Sequence, residues 1–114
     1  MMEPEDTIVE NENGGRQSRI DERFDLIPQN ALRLIALCVA RGAKKYGVDN
    51  WKKISSRDHV SHAMRHISLH VSGDKSEEHL VNATTRLLFA LEMEKGKRKR
   101  RPKMGNFDTI IAKI

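Results

Sequence analysis

The stretch PQNALRLIALCVARGAKKYG, residues 28–47, decides the fold class of this chain. From position 32 to position 43 its apolar residues recur at intervals of three and four, which is the period of an amphipathic α-helix. Leu37 and Cys38 add a second apolar strip beside the first. We therefore predict a helix over residues 29–45 that is buried on more than one side.

The ends of this helix are also marked in the sequence. Pro28 suits the first turn, where a helix leaves its N–H groups without intrahelical partners. Gly42 lies near the predicted end and Gly47 follows it, as is typical of a helix C-terminus. The next ten residues, GVDNWKKISS, have no helical period and are predicted to form a loop.

A second helix is predicted from about residue 57 to residue 71. Ser55 or Ser56 can cap it, and Asp58 in its first turn complements the helix dipole. Five residues form its apolar face: Val60, Ala63, Met64, Ile67 and Val71.

A third helix is predicted to follow the turn SGDK and to end near Gly96. Ser76 is its predicted cap, with His79 in its first turn. Six residues form a wide apolar stripe: Leu80, Val81, Thr84, Leu87, Leu88 and Leu91.

No strand-like alternation occurs in residues 28–94, so the predicted fold is all-α with a small three-helix core. A core of about 70 residues buries little surface, and the apolar faces of the first and third helices exceed what it can cover. We therefore predict that self-association completes the helices. The domain prediction is an unstructured acidic head over 1–22, a helical domain over 23–94, and a basic tail with a short apolar end over 95–114.

Composition excludes several classes of protein. With 114 residues the chain is too short for a TIM barrel, and its single Cys excludes an internal disulfide. No apolar run is long enough to span a membrane, and the acidic start is not a secretory signal, so a cytoplasmic location is expected. The net charge of +5 arises largely in residues 95–103, which hold seven basic residues and no acidic one. Nucleic-acid binding through this tail is a less favoured hypothesis.

Four of the five histidines, at positions 59, 62, 66 and 70, are spaced to share one face of the second helix. Imidazole can bind a metal, transfer a proton or hydrogen-bond a phosphate. For His59 and His62 we favour the alternative of a polar helix face without function. For His66 and His79 a functional role is favoured, and for His70 both interpretations are open.

Two further clusters contain residue types that can bind a ligand. Lys44, Lys45, Tyr46, Asn50 and Trp51 crowd one helix end and loop, where rings can stack on a base and lysines can meet phosphate. The alternative is that the two rings anchor the loop in the core.

The second cluster comprises Asp74, Glu77 and Glu78, which can bind a hard cation or merely complement the helix dipole. On the same helix, His79, Asn82 and Arg86 form a polar line, which predicts that this side faces a cleft or an interface.

The order of these motifs resembles a family of phage proteins. The chain reads DLIP at 25–28, GAKKYG at 42–47, Asn50-Trp51, Arg65-His66, Gly73 and His79. This pattern is similar to that of the dATP/dGTP diphosphohydrolase N-terminal-domain family, which is of the type of the all-α, MazG-like NTP pyrophosphatases. The resemblance covers about residues 23–94.

The resemblance implies a small helical oligomer that cleaves a deoxynucleoside triphosphate to a monophosphate and pyrophosphate with Mg²⁺ or Mn²⁺. It implies a metal site at acidic residues, here Asp74, Glu77 and Glu78, and a catalytic role for Asp74, Glu78 and His79. Residues that match the family pattern are assigned to the substrate: Lys44, Lys45, Tyr46, Asn50, Trp51, Arg65 and His66.

The first helix carries no acidic residue between Pro28 and Gly47, and the paired acidic motifs of MazG-like enzymes are not visible. The resemblance makes hydrolysis of a purine deoxynucleotide the leading hypothesis. The alternative is a protein that binds a nucleotide in the same pocket without cleaving it.

Overall fold

The computed structural model describes residues 7–97 and consists mainly of three α-helices. In chain order the elements are β1 (Ile8–Glu10), β2 (Arg16–Ser18), α1 (Gln29–Tyr46), α2 (Ser56–Val71) and α3 (His79–Lys97). Short 3-10 turns precede α1 and α2, at Phe24–Leu26 and Asn50–Lys53. The all-α prediction is confirmed. Among the described residues, no helix combines the length and apolar character needed to cross a bilayer.

Within residues 7–22 the acidic head contains a short hairpin, where the sequence indicated an unstructured segment. β1 and β2 pair antiparallel, with Ile8 opposite Ser18 and Glu10 opposite Arg16. The turn between them is held by the Asn11 side chain, whose oxygen accepts from the backbone N–H of Asn13 and Gly15. This hairpin is too short for its strands to show an alternating apolar pattern, so the sequence carried no strand signal.

The boundaries of α1 follow local chemistry. The Gln29 side chain donates to the carbonyl oxygens of Phe24 and Ile27, which ties the preceding turn to the start of the helix. At the other end Gly47 has φ 106°, and its N–H donates to the Ala43 carbonyl at 2.8 Å. A side chain at this φ would be strained, so the prediction of a glycine stop at Gly47 is confirmed.

The start of α2 was predicted correctly, whereas the start of α3 was not. Ser55 caps α2 by accepting from the N–H of Asp58 at 3.1 Å. The predicted Ser76 cap of α3 is wrong, because the helix begins only at His79. Ser76 instead donates its hydroxyl proton to Asp74, so its side chain stabilises the turn before the helix.

α3 packs along α2 and, less extensively, against α1. The buried apolar side chains of the described residues are all small: Ala63, Ala83 and Ala90. Small residues allow close approach of two helix backbones, but they remove little apolar surface from water.

The buried side of α2 holds two of its histidines and, of the apolar face expected from the sequence, only Ala63. Ser56, His59, Ala63 and His66 are buried, while Val71 is 78% exposed. Val60, Met64 and Ile67 are exposed as well. The histidine side can turn inward because both buried imidazoles find hydrogen-bond partners there.

The basic segment at 95–103 lies largely outside the described residues, which end at 97, as does the short apolar end of the chain. The predictions for these segments therefore stay predictions.

Candidate functional site

A cleft of about 760 Å³ lies between the second half of α1, the connection that follows it, and the facing sides of α2 and α3. Its walls come from three stretches of sequence, of which the first comprises α1 and the connection that follows it. α1 contributes residues from Cys38 to Tyr46, and the connection contributes residues from Gly47 to Ile54. The histidine side of α2 and the polar line of α3 complete it.

The structure brings many of the predicted site residues to this cleft. Of the residues assigned to the substrate, five line it: Lys45, Tyr46, Asn50, Trp51 and His66. Lys44 and Arg65 are not among the lining residues. Glu77 and Glu78 line the cleft, whereas Asp74 and His79 lie behind its wall and connect to it through His66.

Trp51 is half-buried and joins the connection to α3. Its ring stacks on Phe89 with the centroids 4.5 Å apart and the planes 3° from parallel. The Lys52 ammonium lies 5.7 Å from the Trp51 ring centroid. With one face covered by Phe89, Trp51 serves here as the loop anchor that the sequence offered as its alternative role.

Arg86 lies half-buried in the cleft and is held in place by His59. Its Nε–H donates to His59 Nδ1 at 3.0 Å. Because Arg is always a donor, this Nδ1 must be unprotonated, and Nε2–H of His59 therefore donates to the Trp51 carbonyl at 2.9 Å. Among the described residues no carboxylate forms a salt bridge with Arg86. A half-buried cation without a counterion is suited to receive an anionic ligand.

The neutral state of His59 makes stability depend on pH. Its side chain is 1% exposed, and burial lowers its pKa below 6.5. We expect the free energy of unfolding to fall as pH drops below about 6.5, by up to about 1.4 kcal/mol per pH unit for each proton taken up on unfolding. Burial of His66 acts in the same direction. Above that range both histidines are neutral in the folded and unfolded states, so stability is fully retained.

Urea unfolding at pH 7.5 and 5.5, with EDTA present, measures this effect. His59→Asn should show a shallower pH dependence than the wild type, on top of any constant loss of stability. His70→Asn changes an exposed histidine of the same helix and is the matched control. Equal stability of the wild-type protein at the two pH values would contradict the assignment.

A chain of three hydrogen-bonded side chains leads from His66, at the cleft wall, to His79 and Asp74 behind it. His66 Nδ1 is 2.9 Å from His79 Nδ1, and His79 Nε2 is 2.8 Å from Asp74 Oδ1. Hydrogen bonds from Ser76 and then His79 hold the pKa of Asp74 below its ordinary range, so it is a carboxylate that accepts from His79 Nε2–H. With Nε2 turned to Asp74, His79 directs its Nδ1 at His66.

Glu77 completes a cluster with these imidazoles. One ligand atom each of His66, Glu77 and His79 lies within 4.8 Å of the other two. The Glu77 carboxylate is exposed and accepts from the Asn82 side chain at 3.3 Å. The two histidines are buried, so the cluster has one solvent-facing and two protein-facing members.

Of the polar line predicted on α3, Asn82 and Arg86 line the cleft, whereas His79 does not. Sequence reasoning missed Arg41 and Phe89, which also line it. Phe89 lies three residues after Arg86 and seven after Asn82, so helical spacing alone places it on their face. Arg41 had no comparable signal because it lies within an apolar helix.

The family described as dATP/dGTP diphosphohydrolase, N-terminal, matches residues 11–102 of the 114-residue chain. The chain belongs to this diphosphohydrolase family. The resemblance of its motifs is thereby confirmed, and the match extends beyond residues 23–94 at both ends. No curated protein and no solved structure matches the chain significantly.

A divalent metal is expected from the sequence resemblance, and the cleft wall has donors that would suit one. Glu77 and Glu78 offer carboxylates at the cleft, and two imidazoles lie beside Glu77. Asp74, the third carboxylate of the predicted metal set, is not brought to the cleft with the other two, because Ser76 and His79 occupy its Oδ1. The donors present therefore fit a divalent ion bound by nitrogen as well as oxygen.

Proposed function

We propose that this protein hydrolyses a purine deoxynucleoside triphosphate, dGTP or dATP, to the monophosphate and pyrophosphate, as part of phage nucleotide metabolism in the host cytoplasm. Membership of the diphosphohydrolase family supports the reaction class. The proposal rests chiefly on one observation, the guanidinium of Arg86 that lies in the cleft without a salt-bridged carboxylate among the described residues.

The phosphates would bind at the cationic part of the cleft. Arg41 and Lys45 of α1 and Arg86 of α3 line it, and α1 has no acidic residue to compete with a phosphate. The His59 bond uses only Nε of Arg86, so both amino groups remain for phosphate oxygens. A triphosphate needs several such charges, which favours it over an uncharged ligand.

The base would lie at the other part of the cleft, near Tyr46 and Asn50. Tyr46 is exposed at the end of α1, so its ring can stack on a base, and the Asn50 amide can hydrogen-bond a base edge. Trp51 would act indirectly, because its stacking on Phe89 fixes the connection that carries Asn50.

In the reaction, a water oxygen forms a bond to the α-phosphorus, and the bond from this phosphorus to the bridging oxygen breaks. Pyrophosphate leaves with the bonding electrons. Glu78 would accept the water proton, since its carboxylate lines the cleft and receives no hydrogen bond from another described side chain. Arg86 would stabilise the charge on the phosphates, and a bound divalent ion would neutralise phosphate oxygens.

A homo-oligomer is part of this proposal. Four residues leave an apolar stripe exposed along α3: Leu80, Leu87, Leu88 and Leu91. Their spacing of seven, eight and eleven from the first residue places them on one helix face. A second copy of the chain would cover such a stripe, because the buried apolar side chains among residues 7–97 of one copy are only alanines.

Turnover tests the proposal directly. Incubation with dGTP or dATP and Mn²⁺ or Mg²⁺ should release pyrophosphate and monophosphate in equal amounts, with no free inorganic phosphate when pyrophosphatase is absent. Glu78→Gln, purified identically, should bind nucleotide without cleaving it and thus controls for contaminating enzymes. Thermal stabilisation of the wild-type protein by dGTP without turnover would favour the non-catalytic binding alternative instead.

A further inference from the structure

We propose that His66, Glu77 and His79 bind one transition-metal ion through Nδ1 of each imidazole and the carboxylate, with Asp74 as the partner that orients His79. This ligand set differs from the all-carboxylate site that the family resemblance implied. It predicts an ion such as Mn²⁺, Co²⁺ or Zn²⁺ in preference to Mg²⁺. The binding site is independent of whether the proposed hydrolysis takes place.

The distance between the two imidazoles fits shared coordination. His66 Nδ1 and His79 Nδ1 are 2.9 Å apart. Two nitrogen ligands bound at about 2.0–2.1 Å to one ion lie roughly 3.0–3.4 Å from each other, depending on the angle between the bonds. The separation of the two nitrogens therefore has to grow by only a few tenths of an ångström, together with a rotation of the rings that turns both nitrogens toward one ion in place of the proton between them.

The contact between His79 and Asp74 is a second, separate observation that points to a metal. Metal-bound histidines regularly donate their other ring N–H to a carboxylate, which fixes the tautomer and increases the donor strength of the binding nitrogen. His79 Nε2 makes this contact with Asp74 Oδ1 at 2.8 Å. Ser76 in turn holds Asp74 through its backbone N–H and hydroxyl. His79 thus presents an oriented lone pair from a side chain that is 2% exposed.

An ion would replace the proton that lies between the two imidazoles. In the metal-free protein one hydrogen bond joins His66 Nδ1 and His79 Nδ1. The ion takes the place of this proton, and each ring then carries its proton on Nε2. The Nδ1 lone pairs of His66 and His79 then both point at one ion.

Glu77 supplies the third donor and faces the cleft. Its carboxylate lies within the 4.8 Å cluster. On binding an ion it would give up only the long 3.3 Å hydrogen bond from the Asn82 side chain. Two imidazoles and one carboxylate leave further coordination positions open. Because imidazole suits Zn²⁺, Co²⁺ and similar ions while Mg²⁺ prefers oxygen ligands, the mixed set selects the transition metals. The open positions would face the cleft that Glu77 lines.

Titration of untagged, EDTA-treated protein with Co²⁺ tests the site without any nucleotide. We expect one Co²⁺ per chain, visible ligand-field absorption bands, displacement by Zn²⁺, and no displacement by Mg²⁺ at a hundredfold excess. Glu77→Gln and His66→Ala should weaken Co²⁺ binding by about 100-fold or more, and Asp74→Asn by about 10- to 100-fold. Circular dichroism checks folding, and Glu77→Gln keeps the test valid if the buried His66→Ala variant does not fold.

Two matched variants serve as controls for this titration. Glu78→Gln changes the neighbouring carboxylate, and His62→Ala changes a cleft histidine of the same helix; both should bind Co²⁺ within about twofold of the wild type. Unchanged binding in Glu77→Gln, or an equal loss in Glu78→Gln, would overturn the site. Co²⁺ binding by a wild-type protein that shows no turnover would support the site and overturn the proposed hydrolysis. Turnover by a wild-type protein that binds no Co²⁺ would overturn the site and leave the proposed hydrolysis intact.

Discussion

Replacing Arg86 by methionine is expected to lower kcat/KM for dGTP or dATP by about 100- to 1,000-fold, which corresponds to about 3–4 kcal/mol. Methionine retains much of the side-chain volume but removes the cation that we place on the phosphates. The expected loss is large because Arg86 is half-buried, where water weakens its attraction to an anion less than at the surface. Arg86→Lys should recover only part of the activity, since lysine cannot form the paired contacts of a guanidinium.

Kinetics and binding have to be measured together for this variant. Arg86 also donates to His59, so the variant must first be shown to be folded by circular dichroism. Arg57→Met removes an exposed arginine of α2 that does not line the cleft, and it should retain wild-type kinetics. If folded Arg86→Met cleaved dGTP as fast as the wild type, the phosphate site would lie elsewhere.

A double variant, Leu87→Glu with Leu91→Glu, is expected to convert an oligomer into monomers of much lower stability. Leu91 is 56% exposed in one copy of the chain and Leu87 is 42% exposed. Burying a leucine side chain stabilises the assembly by about 1.5–3 kcal/mol. In a symmetric interface each of the two positions occurs twice, once in each copy. The dissociation constant should therefore rise by more than about 1,000-fold.

Light scattering coupled to size-exclusion chromatography measures this change. The thermal midpoint of the wild type should also rise with protein concentration, because association stabilises the folded state by mass action. Ser61→Glu with Ser68→Glu adds the same charge at exposed polar positions of α2 and should leave both measurements unchanged. A monomeric wild type with a concentration-independent midpoint would exclude the proposed assembly.

The helical elements were predictable because their determinants are local. The apolar period of α1, the positive φ at Gly47 and the cap at Ser55 each depend on residues within a few positions of one another. The late start of α3 was not predictable from the same rules. Ser76 has the residue type of a cap, but the nearby Asp74 carboxylate competes for its hydroxyl.

The candidate site was predictable only in part. Helical spacing placed Asn82 and Arg86 on one face, and the family pattern pointed to Tyr46 and Asn50, so these residues were found. The role of His59 was missed, because its partners are the Trp51 carbonyl and the Arg86 guanidinium. Every residue carries a backbone carbonyl, so the residue type at a loop position does not show that its carbonyl accepts a hydrogen bond.

The sequence by itself determined the three helices, most of their ends, the family and the polar line of α3. Only the tertiary structure decided which side of α2 is buried. Periodicity shows which residues share a face, but the free energy of burying that face depends on what it meets. Here His59 and His66 meet hydrogen-bond partners on segments distant in sequence, so their side packs against α3. The apolar stripe that begins at Val60 is left exposed as a result.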